Sequence, residues 1–212
     1  MMAPVSGWFA VAWSDEIPVG GVEPLLVDGR EYVLYRDEEG TPHALDAHCR
    51  HLGAHLGYGG SVEGTALRCS FHGWRWQPDG SCSDVPYSKR VPPSARIGSW
   101  RVAERNGVVL LWTGDAEPDH EIPAWEFGTD DERRLRTRAQ GTLASLATRC
   151  AGHAPRRFGD GAVLLGPRVG VYLTPIAQAL VDVRLTARAP SGADAERLLG
   201  ELRESLEGEA AA

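Results

Sequence analysis

The chain has 212 residues, of which 42% are hydrophobic, and it carries a net charge of -7 at neutral pH. This length allows one large domain or two small ones, and the hydrophobic fraction suffices for a buried core. The acidic balance argues against nucleic acid as a partner, because phosphate binding needs a clustered basic surface. The N-terminus lacks a basic region followed by a long apolar run, and the apolar stretch 108–112 is too short to cross a bilayer. We therefore expect no targeting segment, no membrane partner and a cytoplasmic location.

The first part of the sequence predicts a small antiparallel β domain. Short strand-like segments are separated by Gly, Pro, Asp and Asn, which favour turns. A tight turn is predicted at 78–80, because proline presets its own backbone angle and the following glycine accepts a positive φ. The predicted strands are 9–13, 31–36, 66–69, 74–77 and 108–112.

The second part has a different pattern. Proline-bearing segments place the domain boundary near residue 125, which divides the chain into domains 1–125 and 126–212. The alternating charges of 133–138 predict a half-buried strand rather than a nucleic-acid-binding arm. A helix over 194–206 is predicted to pack an apolar face on a sheet, because leucines recur every four residues. Those leucines are Leu198, Leu202 and Leu206, and further strands are predicted at 162–165, 170–175 and 180–187.

Two Cys-His pairs lie in the predicted β domain: Cys49 with His51, and Cys69 with His72. Two thiolates on one iron and two imidazoles on the other are the ligands of a Rieske cluster. A structural zinc site uses similar ligand types. Zinc fingers, however, close each half-site with like ligands, whereas each pair here offers one Cys and one His. We therefore predict that these four residues hold a [2Fe-2S] cluster and that the domain transfers electrons.

The remaining cysteines and histidines show no comparable pattern. Cys82 and Cys150 lie in no motif that would pair them, so reduced thiols are the simpler interpretation. Trp74 follows the ligand His72 closely, and its ring is predicted either to shield the cluster or to pack in the core. Four histidines lie in loops or charged stretches and are predicted to be solvated or simple loop residues: His43, His48, His55 and His120.

The residues around the two pairs resemble the cluster-binding loops of the Rieske non-haem iron oxygenases. The similarity is strongest to the branch that acts on steroid-like and other bulky alicyclic substrates. It rests on the loops 51–56 and 69–76, with similar stretches at 7–12, 33–37, 97–100 and 106–112. The resemblance implies a mainly β protein in which a helix-grip domain of α+β type follows the Rieske domain. It also implies a reductase or ferredoxin as electron donor, and electron exit through His51 or His72.

In that family the second domain binds a mononuclear iron with two histidines and a carboxylate. One register aligns His153 with the family's last histidine, and it puts Thr148 and Ser145 at the places of the other histidine and an aspartate. Neutral hydroxyls are weak ligands for iron(II), so we expect a shortened, degenerate domain and no mononuclear iron in this chain. Cys150 and His153 offer too few ligands for a separate closed metal site.

Three functions fit these features, and the sequence identifies no catalytic residue. The first is an oxidoreductase that supplies electrons within an oxygenase hydroxylating an organic substrate, with the mononuclear iron in a partner subunit. That partner would be a second oxygenase subunit in a mixed assembly, and a homo-oligomer is the alternative assembly. The second is a stand-alone Rieske ferredoxin, and the third is a complete oxygenase with an atypical site. The retained helix-grip-like region favours the first, because a ferredoxin needs only the cluster domain.

Overall fold

The computed structural model describes residues 6–118, 122, 131–154, 156–158, 163–166 and 168–207. The chain forms two compact units: a first unit of residues 11–112, and a second unit made of the described residues on either side. The predicted boundary near residue 125 lies outside the described residues. No helix in the described part of the chain is both long and apolar enough to span a membrane.

The strands up to residue 112 are short and antiparallel, as predicted. In chain order the strands are β1 (Trp8–Trp13), β2 (Val22–Val27), β3 (Arg30–Arg36), β4 (Pro42–Asp46), β5 (Ser61–Glu63), β6 (Ala66–Arg68), β7 (Arg75–Trp76), β8 (Cys82–Asp84), β9 (Ser99–Trp100), β10 (Val102–Arg105) and β11 (Val108–Trp112). They form three sheets, with strand orders β2-β3-β4-β9, β5-β6-β7-β8 and β1-β11-β10. All five predicted strands are present as β1, β3, β6, β7 and β11.

The predicted turn at 78–80 connects β7 to β8. Gly80 has a φ of +79°, and its amide donates to the carbonyl of Gln77 at 2.8 Å. A Cβ at this position would overlap the carbonyl oxygen of Ile97. Glycine is therefore required here both for the positive φ and for the close approach of the neighbouring backbone.

The core of the first unit contains both predicted cysteine ligands. Cys49 and Cys69 are each 2% exposed and belong to one hydrophobic cluster with fully buried Tyr35, Leu67 and Trp76. Burial of large side chains is the main source of stability in a domain of this size. The cysteines of both predicted ligand loops thus lie in the hydrophobic core of the unit.

The second unit is a five-stranded antiparallel sheet with two helices, which confirms the predicted α+β class. The elements are β12 (Asp131–Gln140), α1 (Leu143–Cys150), β13 (Arg156–Phe158), β14 (Val163–Leu165), β15 (Val169–Ala177), β16 (Leu180–Ala189) and α2 (Gly192–Glu207). The strand order in the sheet is β12-β16-β15-β14-β13. The predicted strands and the C-terminal helix are present, and residue 162 lies outside the described part.

Helix α2 packs one apolar face into the core of the second unit, as predicted. Its buried residues are Ala195, Leu199, Leu202 and Leu206, while Leu198 is only partly buried. A helix turns once every 3.6 residues, so a stripe with a spacing of four drifts off the buried face. Leu202 and Leu206 are therefore central in the packing, and Leu198 lies at its edge.

Helix α1 was not predicted from the sequence. Thr142 and Ser145 form a reciprocal capping box at its start: Thr142 Oγ1 accepts from the amide of Ser145, and Ser145 Oγ accepts from the amide of Thr142. Leu146 and Cys150 are fully buried four residues apart on one face. The capping pair and this spacing are recognisable helix signals.

One set of buried side chains in the second unit is polar. Arg184 Nη1 donates to Asp182 Oδ2 at 2.5 Å and to the carbonyl of Ala10 at 2.8 Å. Thr174 Oγ1 donates to the same carbonyl at 2.8 Å, and Arg136 Nε lies 3.0 Å from Asp182 Oδ1. The carboxylate of Asp182 therefore neutralises a buried guanidinium, which would otherwise be costly to remove from water.

Candidate iron-sulfur site

The first predicted ligand loop follows β4 and is closed by two backbone hydrogen bonds. The amide of Cys49 donates to the carbonyl of Ala54 at 2.8 Å, and the amide of Gly53 donates to the carbonyl of Cys49 at 2.9 Å. Gly53 has a φ of +74°, which glycine adopts without strain. This turn holds the backbone on both sides of His51.

The second predicted loop, between β6 and β7, repeats the pattern. The amide of Cys69 donates to the carbonyl of Trp74 at 2.8 Å, and the amide of Gly73 donates to the carbonyl of Cys69 at 3.0 Å. Gly73 has a φ of +73°. In both loops a buried cysteine begins the turn and a histidine lies further along it. That histidine is His51 in the first loop and His72 in the second.

The environment of Cys49 is apolar but contains N-H donors. Burial raises the pKa of its thiol well above the ordinary value, while hydrogen bonds from the backbone amide of His51 and the indole of Trp76 oppose this rise. Cys69 is close enough to interact with the same thiol. The indole Nε1 of Trp76 is buried and has no conventional hydrogen-bond acceptor among the described residues.

These features fit a bound iron-sulfur cluster. Because burial raises the pKa of Cys49, its thiol does not ionise readily alone, and a metal cation supplies the positive charge that makes it a thiolate. An indole N-H without a full acceptor becomes satisfied when the neighbouring sulfur is an anionic ligand. The donor set of two sulfurs and two imidazoles is the set that a Rieske cluster uses.

The two predicted histidine ligands lie together at the edge of this site. Their half-buried rings are 4.7 Å apart between centroids, with an interplanar angle of 76°. Trp74 stacks on His51 at 4.8 Å and an angle of 10°. The indole of Trp74 also donates to the hydroxyl of Tyr87 at 2.6 Å. Trp74 therefore both packs in the core and covers one face of the His51 imidazole.

Tyr87 is a site residue that the sequence analysis missed. Its hydroxyl lies 3.2 Å from Nε2 and 3.4 Å from Nδ1 of His51. No motif marks this tyrosine, because the segment after β8 brings it to the site from 36 positions along the chain. The contact closes a chain of side-chain interactions from Trp74 through Tyr87 to His51.

Exposed apolar side chains surround the predicted histidine ligands. Leu52 is 66% exposed, Phe71 62% and Tyr87 61%. The ring of Phe71 lies 4.0 Å from that of His72. An apolar rim around partly accessible imidazoles lets another protein approach closely and exclude water.

One of the other histidines is less solvated than predicted, two are as expected, and one is not described. His43 Nε2 lies 2.8 Å from Oδ2 of Asp37, whose side chain is 2% exposed, so the prediction of a solvated surface residue was wrong. His55 is half-buried in the loop region. His48 is exposed but lies beside Glu31. His120 lies outside the described residues.

The residues aligned with the mononuclear iron site serve the local fold. Ser145 caps helix α1, and Thr148 Oγ1 donates to the carbonyl of Ala144 at 2.8 Å. His153 Nε2 lies 3.4 Å from Ser205 Oγ. Cys150 is fully buried. Among the described residues, no group of three potential metal-binding side chains includes His153 or Cys150.

Comparison with known proteins agrees with the geometry of the loops. Residues 7–95 match the family model of the Rieske [2Fe-2S] domain. Cholesterol 7-desaturase from Hemicentrotus pulcherrimus is 42% identical over 124 residues. The oxygenase component of 3-ketosteroid-9-alpha-monooxygenase from Rhodococcus rhodochrous is 37% identical over 131 residues. The matches cover 57% and 59% of this chain, but it spans only 26% and 34% of those relatives.

Solved structures extend the similarity to the second unit. Dicamba monooxygenase bound to dicamba has a TM-score of 0.75 at 17% identity, covering 98% of this chain and 85% of that one. The oxygenase in the ferredoxin complex of carbazole 1,9a-dioxygenase has a TM-score of 0.66 at 13% identity, covering 96% and 79%. At these identities the likeness concerns the fold alone.

The first unit is thus an electron-transfer module of the iron-sulfur class, a Rieske domain whose cofactor is a [2Fe-2S] cluster. Its sequence relatives, and the proteins that share the fold of the whole chain, are similar to it as Rieske non-haem iron oxygenases.

Replacing Tyr87 by phenylalanine is expected to raise the midpoint potential of the cluster. A ligand imidazole that donates to the tyrosine oxygen is more electron-rich, which stabilises the oxidised state. A hydrogen bond that stabilises the oxidised state relative to the reduced state by about 0.5 to 1 kcal/mol lowers the midpoint potential of a one-electron couple by about 20 to 45 mV. Its loss should raise the potential by the same amount. Protein-film voltammetry measures the shift. Tyr58→Phe is the matched control because Tyr58 is also exposed, at 68%. A fall in the potential of Tyr87→Phe, or an equal rise in Tyr58→Phe, would contradict the role of Tyr87.

Replacing Trp76 by phenylalanine is expected to shift the potential in the opposite direction. The buried indole N-H lies beside Cys49 and is expected to donate to its sulfur when that sulfur holds the cluster. Such donors stabilise the more negative, reduced state. Its loss should lower the potential by about the same 20 to 45 mV. Redox titration followed by visible absorbance tests this, with metal analysis to verify that the cluster is retained. A rise in potential would show that the indole does not act on the sulfur.

Proposed function

We propose that this chain is the electron-transferring component of a Rieske oxygenase system, with Cys49, His51, Cys69 and His72 as the cluster ligands. The observation that carries the proposal is the pair of matching loops, which brings two buried thiols beneath two neighbouring imidazoles. A bound cluster of this type accepts and releases one electron at a time. The protein supplies the sulfur-directed N-H of Trp76, the stacked ring of Trp74 and the hydroxyl of Tyr87.

We infer that a reductase or ferredoxin delivers the electron at the apolar rim around the histidines. Support comes from the exposure of Leu52 and Phe71 beside the two imidazoles. An apolar contact excludes water and shortens the path for electron transfer, while a chain of net charge -7 favours a donor with a basic face. One solved structure of similar fold is an oxygenase in complex with a ferredoxin.

The oxygen chemistry is assigned to a mononuclear iron in another subunit. Ser145 and Thr148 donate to or accept from backbone groups of helix α1, and they offer neither an imidazole nor a carboxylate. Leu146, Leu173 and Leu185 are fully buried in the aliphatic core between the helices and the sheet. A second oxygenase subunit with an intact iron site would then provide the iron.

For the substrate we propose an organic compound with a steroid-like ring system that the complete assembly hydroxylates. The support is the names of two relatives, cholesterol 7-desaturase and the oxygenase component of 3-ketosteroid-9-alpha-monooxygenase. Cys82 and Cys150, which are buried and form no disulfide, support a reducing, cytoplasmic location.

The proposal is tested by single-turnover assays with chemically reduced protein. The isolated chain should be oxidised without hydroxylating a steroid, and co-expression with an oxygenase subunit that has an intact iron site should restore hydroxylation. Size analysis should show both chains in one complex. Hydroxylation by the isolated chain, together with a ferrous nitrosyl signal lost in His153→Ala, would instead establish a complete oxygenase.

A stand-alone ferredoxin is the second candidate. The observation that favours it is that the family model ends at residue 95, within the first unit. Against it stands the fold similarity to dicamba monooxygenase, which covers 98% of the chain. A monomer that binds no oxygenase subunit and reduces several unrelated acceptors would support the ferredoxin.

A further inference from the structure

Three potential metal ligands lie together on the first unit, apart from the four predicted cluster ligands. Glu31, His48 and His55 each offer one ligand atom, and these atoms all lie within 4.8 Å of one another. His48 Nε2 is 3.6 Å from Glu31 Oε2, and the two imidazole rings are 5.0 Å apart at an angle of 76°. Among the described residues this is the one such group of three.

Strand pairing brings the three residues together. Glu31 lies in β3, and His48 and His55 form an isolated antiparallel bridge across the base of the first loop. That bridge encloses the turn in which the amide of Cys49 donates to Ala54. The cluster of side chains therefore joins a core strand to both ends of the loop.

We propose that Glu31, His48 and His55 form a second metal site, which binds a borderline divalent cation such as Zn²⁺. Two imidazoles and one carboxylate are a ligand set that zinc uses, with water completing an open coordination shell. Tetrahedral ligands at about 2.1 Å from zinc are about 3.4 Å apart. The side chains of Glu31 and His48, each 51% exposed, have room to close the remaining gap.

The local charges permit a cation at this place. The neighbouring Arg30 is ion-paired with Asp46 at 3.0 Å, and its guanidinium stacks over Trp100 at 4.1 Å. Its positive charge is thus balanced by a carboxylate outside the proposed site. The carboxylate of Glu31 remains available to neutralise part of the charge of a bound ion.

One contact competes with the metal. His55 Nδ1 lies 3.1 Å from the backbone amide of Gly57, which donates to it. A ring that accepts at Nδ1 carries its proton on Nε2 when neutral, so metal binding displaces either the proton or the Gly57 contact. The site should consequently bind zinc reversibly and exchange it with chelators.

The test uses the cluster-loaded protein, because apoprotein would also bind zinc through the cluster ligands. Equilibrium dialysis against Zn²⁺, followed by metal analysis, should give one zinc per chain with the iron content and visible spectrum unchanged. Glu31→Gln and His55→Gln should each weaken binding at least tenfold. The matched controls Glu39→Gln and His153→Gln should bind zinc like the unaltered protein.

Zinc that is not retained by the unaltered protein, or that binds all four variants with equal affinity, would overturn the proposal. Because Glu31 lies on a different element from the cluster ligands, its variant tests the site even where His55→Gln disturbs the loop. The proposed zinc site does not depend on the oxygenase assignment, and dialysis does not measure electron transfer. A negative dialysis result would therefore overturn the zinc site without affecting the proposed function.

A bound ion should also slow the loss of the cluster on heating, because it ties both ends of the first loop to β3. Zinc is expected to slow bleaching of the visible spectrum at least twofold in the unaltered protein and to have no effect in Glu31→Gln. Equal bleaching rates with and without zinc would overturn this bracing role.

Discussion

Replacing Cys69 by serine should yield protein that lacks both the iron and the labile sulfide of the [2Fe-2S] cluster. The hydroxyl of serine is a much weaker ligand than a thiolate, and the loop offers no substitute sulfur. The colour should disappear and the first unit should become less stable, since the cluster cross-links two loops. Iron and acid-labile sulfide analysis after anaerobic purification measures the effect.

Cys82→Ser is the matched control for this experiment. Cys82 is also a buried thiol of the first unit, 9% exposed, and its sulfur lies 3.3 Å from the carbonyl oxygen of Asp84. A serine hydroxyl can donate to the same carbonyl, so the control should keep a full cluster. Retention of two irons and two sulfides by Cys69→Ser would disprove the ligand assignment. Zinc instead of iron in the unaltered protein would point to a structural zinc site at the Cys-His pairs.

Replacing Asp182 by alanine should destabilise the second unit by about 3 to 5 kcal/mol, the usual cost of removing one partner from a buried ion pair. The change leaves the guanidinium of Arg184, which is 2% exposed, without its carboxylate. The carbonyl of Ala10, which also accepts from this guanidinium, carries no charge to replace that of the carboxylate. Urea unfolding followed by circular dichroism measures the loss of stability.

Asp194→Ala is the control for the buried pair. Asp194 pairs with Arg197 on the surface of helix α2, with side-chain exposures of 49% and 64%. Exposed pairs contribute little, because water already solvates both charges. Unfolding of Asp182→Ala at the same urea concentration as Asp194→Ala would show that the buried carboxylate is not needed.

The two Cys-His pairs could be read from the sequence because their chemistry is local. The spacing from Cys49 to His51 and from Cys69 to His72 lies within single turns, and the glycines that close these turns follow each histidine closely. Strands such as β11 were predictable for a similar reason, since an apolar run of a few residues bounded by turn residues has few other stable forms.

Helix α1 shows where a local signal was present but overlooked. Thr142 and Ser145 form its capping box, whereas the sequence analysis treated Ser145 only as a substitute for a metal ligand. The structure gives that hydroxyl a backbone partner instead. In helix α2 the error was smaller, since the buried face is rotated slightly from the leucine stripe that predicted it.

The sequence alone determined the short strands of the Rieske domain and its four candidate ligands. Both depend on residue types that lie only a few positions apart along the chain. The tertiary structure decided which distant groups reach them. The hydroxyl of Tyr87 lies beside His51, and the indole of Trp76 lies beside Cys49, only after separate strands have packed. The same packing brings Glu31 next to the two ends of the first loop. Such contacts depend on register and chain path summed over many weak interactions, and no short stretch of sequence encodes them.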